Sequence, residues 1–184
     1  MSVLLVTHPR FLEHDPGHGH PERPERLEAV LRGIERAGVA EAVERCDPRP
    51  ATGEELARVH EPPLLALLER VRSAGGGRLD ADTAMSSASY DAAILAAGAG
   101  PAAVERLDAG GASAAFCAVR PPGHHATPDT SMGFCLLNNV AVTAAALAAR
   151  GERVLIVDFD AHHGNGTQEA FWSEASVAYV SIHQ

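Results

Sequence analysis

Cysteine, aromatic side chains, positive charge and long apolar runs are all scarce in this 184-residue chain. Its three cysteines, Cys46, Cys117 and Cys135, stand far apart. Neither a disulfide framework nor a Cys-x-x-Cys metal knot can be built from them, so a reducing cytoplasm is the expected setting. Lys and Arg number 15 against 24 Asp and Glu, a net charge of −9. That balance argues against a broad grip on nucleic acid or anionic lipid, while an acidic rim would suit a small cationic substrate. The longest apolar stretch, Val140 to Ala149, is about half of what a membrane span requires. The apolar opening, Met1 to Thr7, runs at once into Pro9 and Arg10, which suits a first β-strand rather than a signal peptide. What remains, 46% hydrophobic and 21% charged residues, is the composition of an ordinary globular protein with room for one domain, residues 1–184.

Short β-rich runs alternate with Ala/Leu-rich ones. Strands are expected at Val3–Thr7, Ala115–Val119, Val154–Asp158 and Val177–Ile182, each rich in Val, Ile or Phe and bounded by Gly, Pro or charge. Helices are expected near Pro24–Ala37, Pro62–Ser73, Ser89–Asp108, Leu136–Arg150 and Thr167–Ser173, with Gly75–Gly77 as a loop. Pro24 fits a first helical turn, and Gly38 and Gly151 fit helix stops. The alternation predicts an α/β fold: a mostly parallel sheet with helices on both faces, whose chemistry gathers beyond the carboxyl ends of the strands.

Two expected strand ends carry reactive side chains. After Val157 comes Asp158-Phe-Asp160-Ala-His162-His163-Gly-Asn165-Gly. In extended backbone residues 158, 160 and 162 point the same way, so two carboxylates and an imidazole converge. No basic residue offsets that repulsion, and a divalent cation would. The donor set suits zinc, with ferrous iron or manganese as further candidates. A solvated turn with helix-capping histidines is the plainer alternative. After Val119 comes Arg120-Pro-Pro-Gly-His124-His125-Ala. Such an adjacent pair can accept a proton from an attacking water and return it to a leaving amine. Each histidine needs a partner on its other nitrogen, and Asp158 and Asn165 are free for that once Asp160 and His162 are assigned to metal. A polar surface loop is the plainer alternative here. Gly133-Phe134 could set an aromatic wall beside the pair, although Phe134 also suits an ordinary core position.

Together, Pro-Pro-Gly-His-His-Ala, Gly-Phe-Cys-x-x-Asn-Asn and Val-Asp-x-Asp-x-His-His-Gly-Asn-Gly-Thr-Gln resemble the histone deacetylase superfamily. The likeness is closest to the class II-like bacterial branch that includes acetylpolyamine amidohydrolases and acetoin utilisation proteins. His20–Arg26, Leu79–Thr83 and the final Ser-Ile-His-Gln fit the same pattern. The resemblance implies an arginase/deacetylase-like three-layer fold and zinc-dependent hydrolysis of N-acetyl amides, with acetylated lysine or acetylated polyamine as substrate. It implies Asp160 and His162 as zinc ligands, and His124 and His125 as acid/base pair oriented by Asp158 and Asn165. Because Asn165 carries no charge, a lower pKa is expected for His125. Gly133 and Phe134 would line an acyl-lysine tunnel, Asp82 would sit at its rim and Arg26 near an acetate exit. A potassium ion would lie below, held by Asp158, Asp160, His162, Ser181 and Ile182. Asp82 as a turn former and Arg26 as a helix-surface charge stay open.

The family's third zinc ligand, a later aspartate, and its carbonyl-polarising tyrosine, which follows a Gly-Gly motif, do not occur before Gln184. Tyr90 and Tyr179 lack that context. Two protein ligands make a weak zinc site, so the chain is expected to be the N-terminal half of a longer product, with little activity alone and an unpaired sheet edge that favours aggregation. Two other readings stay open: an arginase-like binuclear manganese hydrolase, and a non-catalytic module binding acetylated or cationic ligands. Oligomeric state is open.

Overall fold

The computed structural model describes residues 2–184. Its elements run β1 (Val3–Val6), α1 (Pro24–Arg36), β2 (Val43–Cys46), α2 (Gly53–Ala57), α3 (Pro62–Ser73), β3 (Gly76–Arg78), β4 (Ala84–Ser86), α4 (Ser89–Asp108), β5 (Ala114–Cys117), α5 (Asn139–Ala149), β6 (Val154–Asp158), α6 (Asn165–Ala170) and β7 (Val177–Ser181). Short 3-10 turns occupy Pro9–Glu13 and Ala40–Ala42. The architecture is α/β, with parallel strand pairs packed against helices, and no described helix is long and apolar enough to cross a membrane.

β1 is the centre of a three-stranded parallel sheet, flanked by β2 and β5, with Val6 opposite Cys46 on one side and Cys117 on the other. Its Val-Leu-Leu-Val sequence matches that position, because a strand covered on both faces needs an apolar side chain at every residue. Leu4 and Val6 pack on Ala99 and Ala103 of α4, and Leu5 meets Phe11 and Leu27 on the opposite face. Truncating a fully buried leucine here removes about 2–5 kcal/mol.

The expected single sheet is divided. β6 and β7 form a separate parallel pair in which Asp158 lies opposite Ser181. Ile156 faces the core beside α5, while Leu155 on the other face is 64% exposed and Phe159 beyond the strand 85% exposed. Between the segment that follows β5 and the end of β6 runs a cleft of about 590 Å³ lined by Val119, Pro122, Val140 and Val157 among others. β5 pairs with β1 and β6 with β7, so both are edge strands among the described residues.

Several local expectations are corrected. Gly76–Arg78 is not a loop but pairs antiparallel with β4. The fourth expected helix starts at Asn139 rather than Leu136: Asn138 caps it by accepting from the Ala141 N–H, while Leu136 and Leu137 are wholly buried ahead of the cap. β2 and the five-residue α2, which a Thr52–Glu55 capping box opens, were not expected. The last helix begins at Asn165 and ends at Ala170.

Candidate active site

The two chemistry-bearing segments meet at the carboxyl ends of β5 and β6. His124 Nδ1 donates to Asp158 Oδ2 at 2.9 Å, and His125 Nδ1 donates to Asn165 Oδ1 at 2.8 Å. Both acceptors lack a proton to give, so each Nδ1 carries the hydrogen. The two rings lie 4.1 Å apart, centre to centre. They border a cavity of about 480 Å³ that also touches Glu22, Arg26, Asp82, Gly133, Phe134, Asp160 and His162.

Asp158 is the junction. Its Oδ2 also accepts from Tyr179 Oη at 3.1 Å, and its Oδ1 accepts from the Asp160 N–H at 3.1 Å. Burial would raise its pKa, but the hydrogen bonds from His124 and the Asp160 amide outweigh that and hold it below the usual carboxylate range. Gly164 is required beside this junction, because a Cβ there would lie 2.8 Å from Tyr179 Oη and 3.0 Å from His124 Nδ1.

Asp160 and His162 stand at the open side of the cavity. Asp160 Oδ1 accepts from the His162 N–H at 2.8 Å and is 3.4 Å from His162 Nδ1 and 4.0 Å from His124 Nε2. A carboxylate and an imidazole side by side fit zinc as two protein donors. No group of three or more His, Cys, Asp or Glu side chains suited to a metal occurs among the described residues, so these two fit as part of a donor set. The neighbours expected to hold potassium are also adjacent: the Ile182 N–H donates to the Asp158 carbonyl at 2.9 Å, and Ser181 is opposite Asp158 in the strand register.

The wall opposite the histidines is built from Gly133 and Phe134. Gly133 has φ +56°, and a Cβ there would come within 2.5 Å of His125 Cδ2; only glycine lets the turn close on the ring. Phe134, at φ +69°, donates its N–H to Thr83 Oγ1 and takes the His20 ring edge-on at 4.6 Å. Asp82 is at the rim, where its carbonyl accepts from His20 Nε2 at 3.0 Å. Arg26 borders both this cavity and a second one, of about 280 Å³, beside Phe116 and Arg120.

Four supporting residues were not singled out from sequence. Arg120 and Glu22 form a buried bidentate pair, Nε to Oε1 at 2.6 Å and Nη2 to Oε2 at 2.7 Å. Burial would raise the Glu22 pKa, but His14 and Arg120 together lower it to about 2. His14 bonds Ser89 Oγ through Nδ1 at 2.7 Å. His60 donates from Nδ1 to the Thr127 carbonyl and accepts the Asn138 N–H at Nε2. It thereby joins the histidine loop to the start of α5, and burial lowers its pKa to about 4. The Arg-Pro-Pro and His-Pro-Glu runs held part of this signal, but the pairing spans 98 residues.

Residues 20–184 match the histone deacetylase domain family. A probable deacetylase of Archaeoglobus fulgidus is 38% identical over all of this chain and 52% of its own length. A histone deacetylase-like amidohydrolase of Pseudomonas aeruginosa is 39% identical over 90% of the chain and 44% of its own. A polyamine deacetylase of Homo sapiens is 38% identical over the whole chain and 29% of its own. The crystal structure of the HDA15 HD domain superposes with a TM-score of 0.93 at 38% identity, over 99% of this chain and 53% of that one. The chain thus spans about half the length, or less, of many of its curated relatives. With the motif residues assembled as described and the match running from His20 to Gln184, the chain belongs to the histone deacetylase domain family.

Proposed function

We propose that this chain carries the acid/base pair and two metal donors of a zinc-dependent deacetylase that hydrolyses N-acetyl amides to acetate and free amine. The observation that carries the reading is the tandem histidine pair, each ring anchored through Nδ1 and standing beside Asp160 and His162. Zinc held by Asp160 and His162, with a further ligand, would supply Lewis-acid polarisation of the acyl oxygen and of the attacking water. The chain's own contribution is proton transfer. A histidine takes the water proton at Nε2 as oxygen attacks the acyl carbon, and the pair returns a proton to the nitrogen as the C–N bond breaks. Ionised Asp158 stabilises the imidazolium of His124 and locks its tautomer. Asn165 orients His125 through Nδ1 without adding charge.

The acyl group would pass between Phe134 and the histidines, with Asp82 at the rim holding the substrate amine or backbone and Arg26 near the leaving acetate. A net charge of −9 favours a cationic substrate, which acetylated lysine segments and acetylated polyamines both provide. Potassium beneath Asp158, Asp160, His162, Ser181 and Ile182, and a cytoplasmic setting suited to free cysteines, complete the reading.

Calorimetric titration of the metal-free chain with zinc and with manganese tests it. The expected result is one weakly held zinc per chain, lost in Asp160→Ala and His162→Ala. Two manganese ions per chain would favour a binuclear hydrolase, and no metal uptake a binding module. Little deacetylation is expected from the 184 residues alone, since the described residues offer two donors; clear zinc-dependent turnover of an acetyl-lysine peptide would overturn that expectation.

A further inference from the structure

Around the mouth of the cavity the contacts close into a ring. Arg120 precedes the histidine loop; His125 packs on Gly133; Phe134 takes the His20 ring; and two residues on, Glu22 returns to Arg120. Two of these links are weak aromatic or van der Waals contacts. The Glu22–Arg120 link is different: both side chains are at least 95% buried, at 1% and 5% exposure. Arg120 gives all its remaining reach to the same corner, donating from Nη1 to the Phe11 carbonyl at 2.7 Å and from Nη2 to the His14 carbonyl at 3.1 Å.

We infer that Glu22 and Arg120 are positioning residues that set the His124–His125 loop against the His20–Pro21 rim. Stability does not account for the pair. A buried ion pair costs about as much desolvation as it returns, and a well-packed apolar pair of similar volume often serves as well or better. What an apolar pair cannot supply is direction. A guanidinium fork on a carboxylate fixes distance and plane together. Here it fixes the backbone four residues before His124 relative to the backbone two residues after His20. Residues 14–23 form no helix or strand, so this segment has no regular backbone ladder to hold it in register. Glu22, with its pKa near 2, stays ionised across the range in which histidines work.

The inference rests on the reading of His124 and His125 as the acid/base pair, but its test needs neither metal nor turnover. The probes are the double variant Glu22→Met/Arg120→Met, which removes the fork but keeps volume, and Arg120→Lys, which keeps charge but loses the fork. Thermal melts report folding. Long-range proton–nitrogen NMR of the histidine rings reports whether Nδ1 and Nε2 stay distinct, and nuclear Overhauser contacts report the His20–Phe134 packing. Expected for the folded double variant are loss of the His20–Phe134 contacts and collapse of the His124 and His125 nitrogen signals toward tautomer averages, with a smaller change of the same kind in Arg120→Lys. A folded double variant that keeps both signatures overturns the inference. So does failure of both variants to fold, since the pair would then be a stability element. If zinc fails to bind while the signatures behave as expected, the deacetylase reading falls and the positioning role stands.

Discussion

The two sides of the site are built to different standards. On the β5 side, every group near the histidines is held from several directions: Arg120 by three backbone or side-chain partners, His60 by two backbone groups, and Gly133 against the His125 ring. On the β6 side, Asp160 and His162 extend from a two-stranded pair whose outer face leaves Leu155, Val157, Val180 and Ile182 exposed. The half that carries the proposed acid/base pair is thus ordered largely by contacts on the β5 side, whereas the half with the proposed metal donors lies beside an uncovered apolar surface. The two meet at Asp158 and Asn165, which anchor the histidine rings from the β6 side; away from those two bonds, each half can be perturbed without the other.

The largest effect should come from Glu22→Ala, which leaves the buried Arg120 charge without its partner. Breaking such a pair costs about 3–5 kcal/mol, or a fall in melting temperature of roughly 6–20 °C for a domain of this size, read by calorimetry. Next comes acid. His60 is neutral in the fold because its Nε2 must accept from Asn138, and its pKa falls from 6.5 to about 4. For a base whose folded pKa is depressed, the unfolded chain binds the proton first. Stability should therefore be full above pH 6.5 and decline as pH falls toward 4, by on the order of 3 kcal/mol. Urea melts at intervals across that window should show this slope, and His60→Gln should flatten it while lowering stability at pH 7. A carboxylate obeys a different window: the Glu22 contribution persists down to about pH 4.5 and fades toward pH 2.

Smaller still is Gly133→Ala. The residue needs positive φ and has no room beside His125, so the cost should be about 1–3 kcal/mol, with a displaced His125 signal in NMR and little change at His124. Least costly should be Val157→Glu on the bare face. Half-exposed as Val157 is, stability should move by no more than about 0.5 kcal/mol. Self-association in sedimentation experiments should nevertheless drop, as expected for an interrupted apolar edge. A large loss of stability in this variant would mean that the two sides are less separable than described.

The strands β1 and β6 were legible from sequence because each is a compact run of Val, Leu or Ile between breakers; β5 and β7 carry alanine among their apolar residues, and β5 was placed less sharply, ending at Cys117 rather than Val119. Elimination left Asp158 and Asn165 as candidate partners for the two histidines, but which residue goes with which ring came from the family resemblance; His124 meets Asp158 and His125 meets Asn165. β2 was not legible, because Val43-Glu-Arg-Cys carries two charges in four residues and becomes a strand only through pairing with β1. Nor was β3, since Gly76-Gly77 has no side-chain pattern to betray it. The division of the sheet is a matter of which strands are neighbours, and periodicity does not report that. Glu22, His14 and His60 escaped because their roles depend on partners 98, 75 and 67 residues away.

The central place of β1 also has a consequence in time. β1 is synthesised before either flanking strand, and β5 follows β2 by nearly 70 residues. At ribosomal rates of about 5–20 residues per second, Val3–Val6 must wait on the order of several seconds with one edge bare. During that interval its four apolar residues are an invitation to wrong partners, and α4, which covers Leu4 and Val6, emerges only shortly before β5. Codons that slow translation between residues 47 and 113 would lengthen the exposure, and a nascent-chain chaperone occupying β1 would have to leave as α4 arrives.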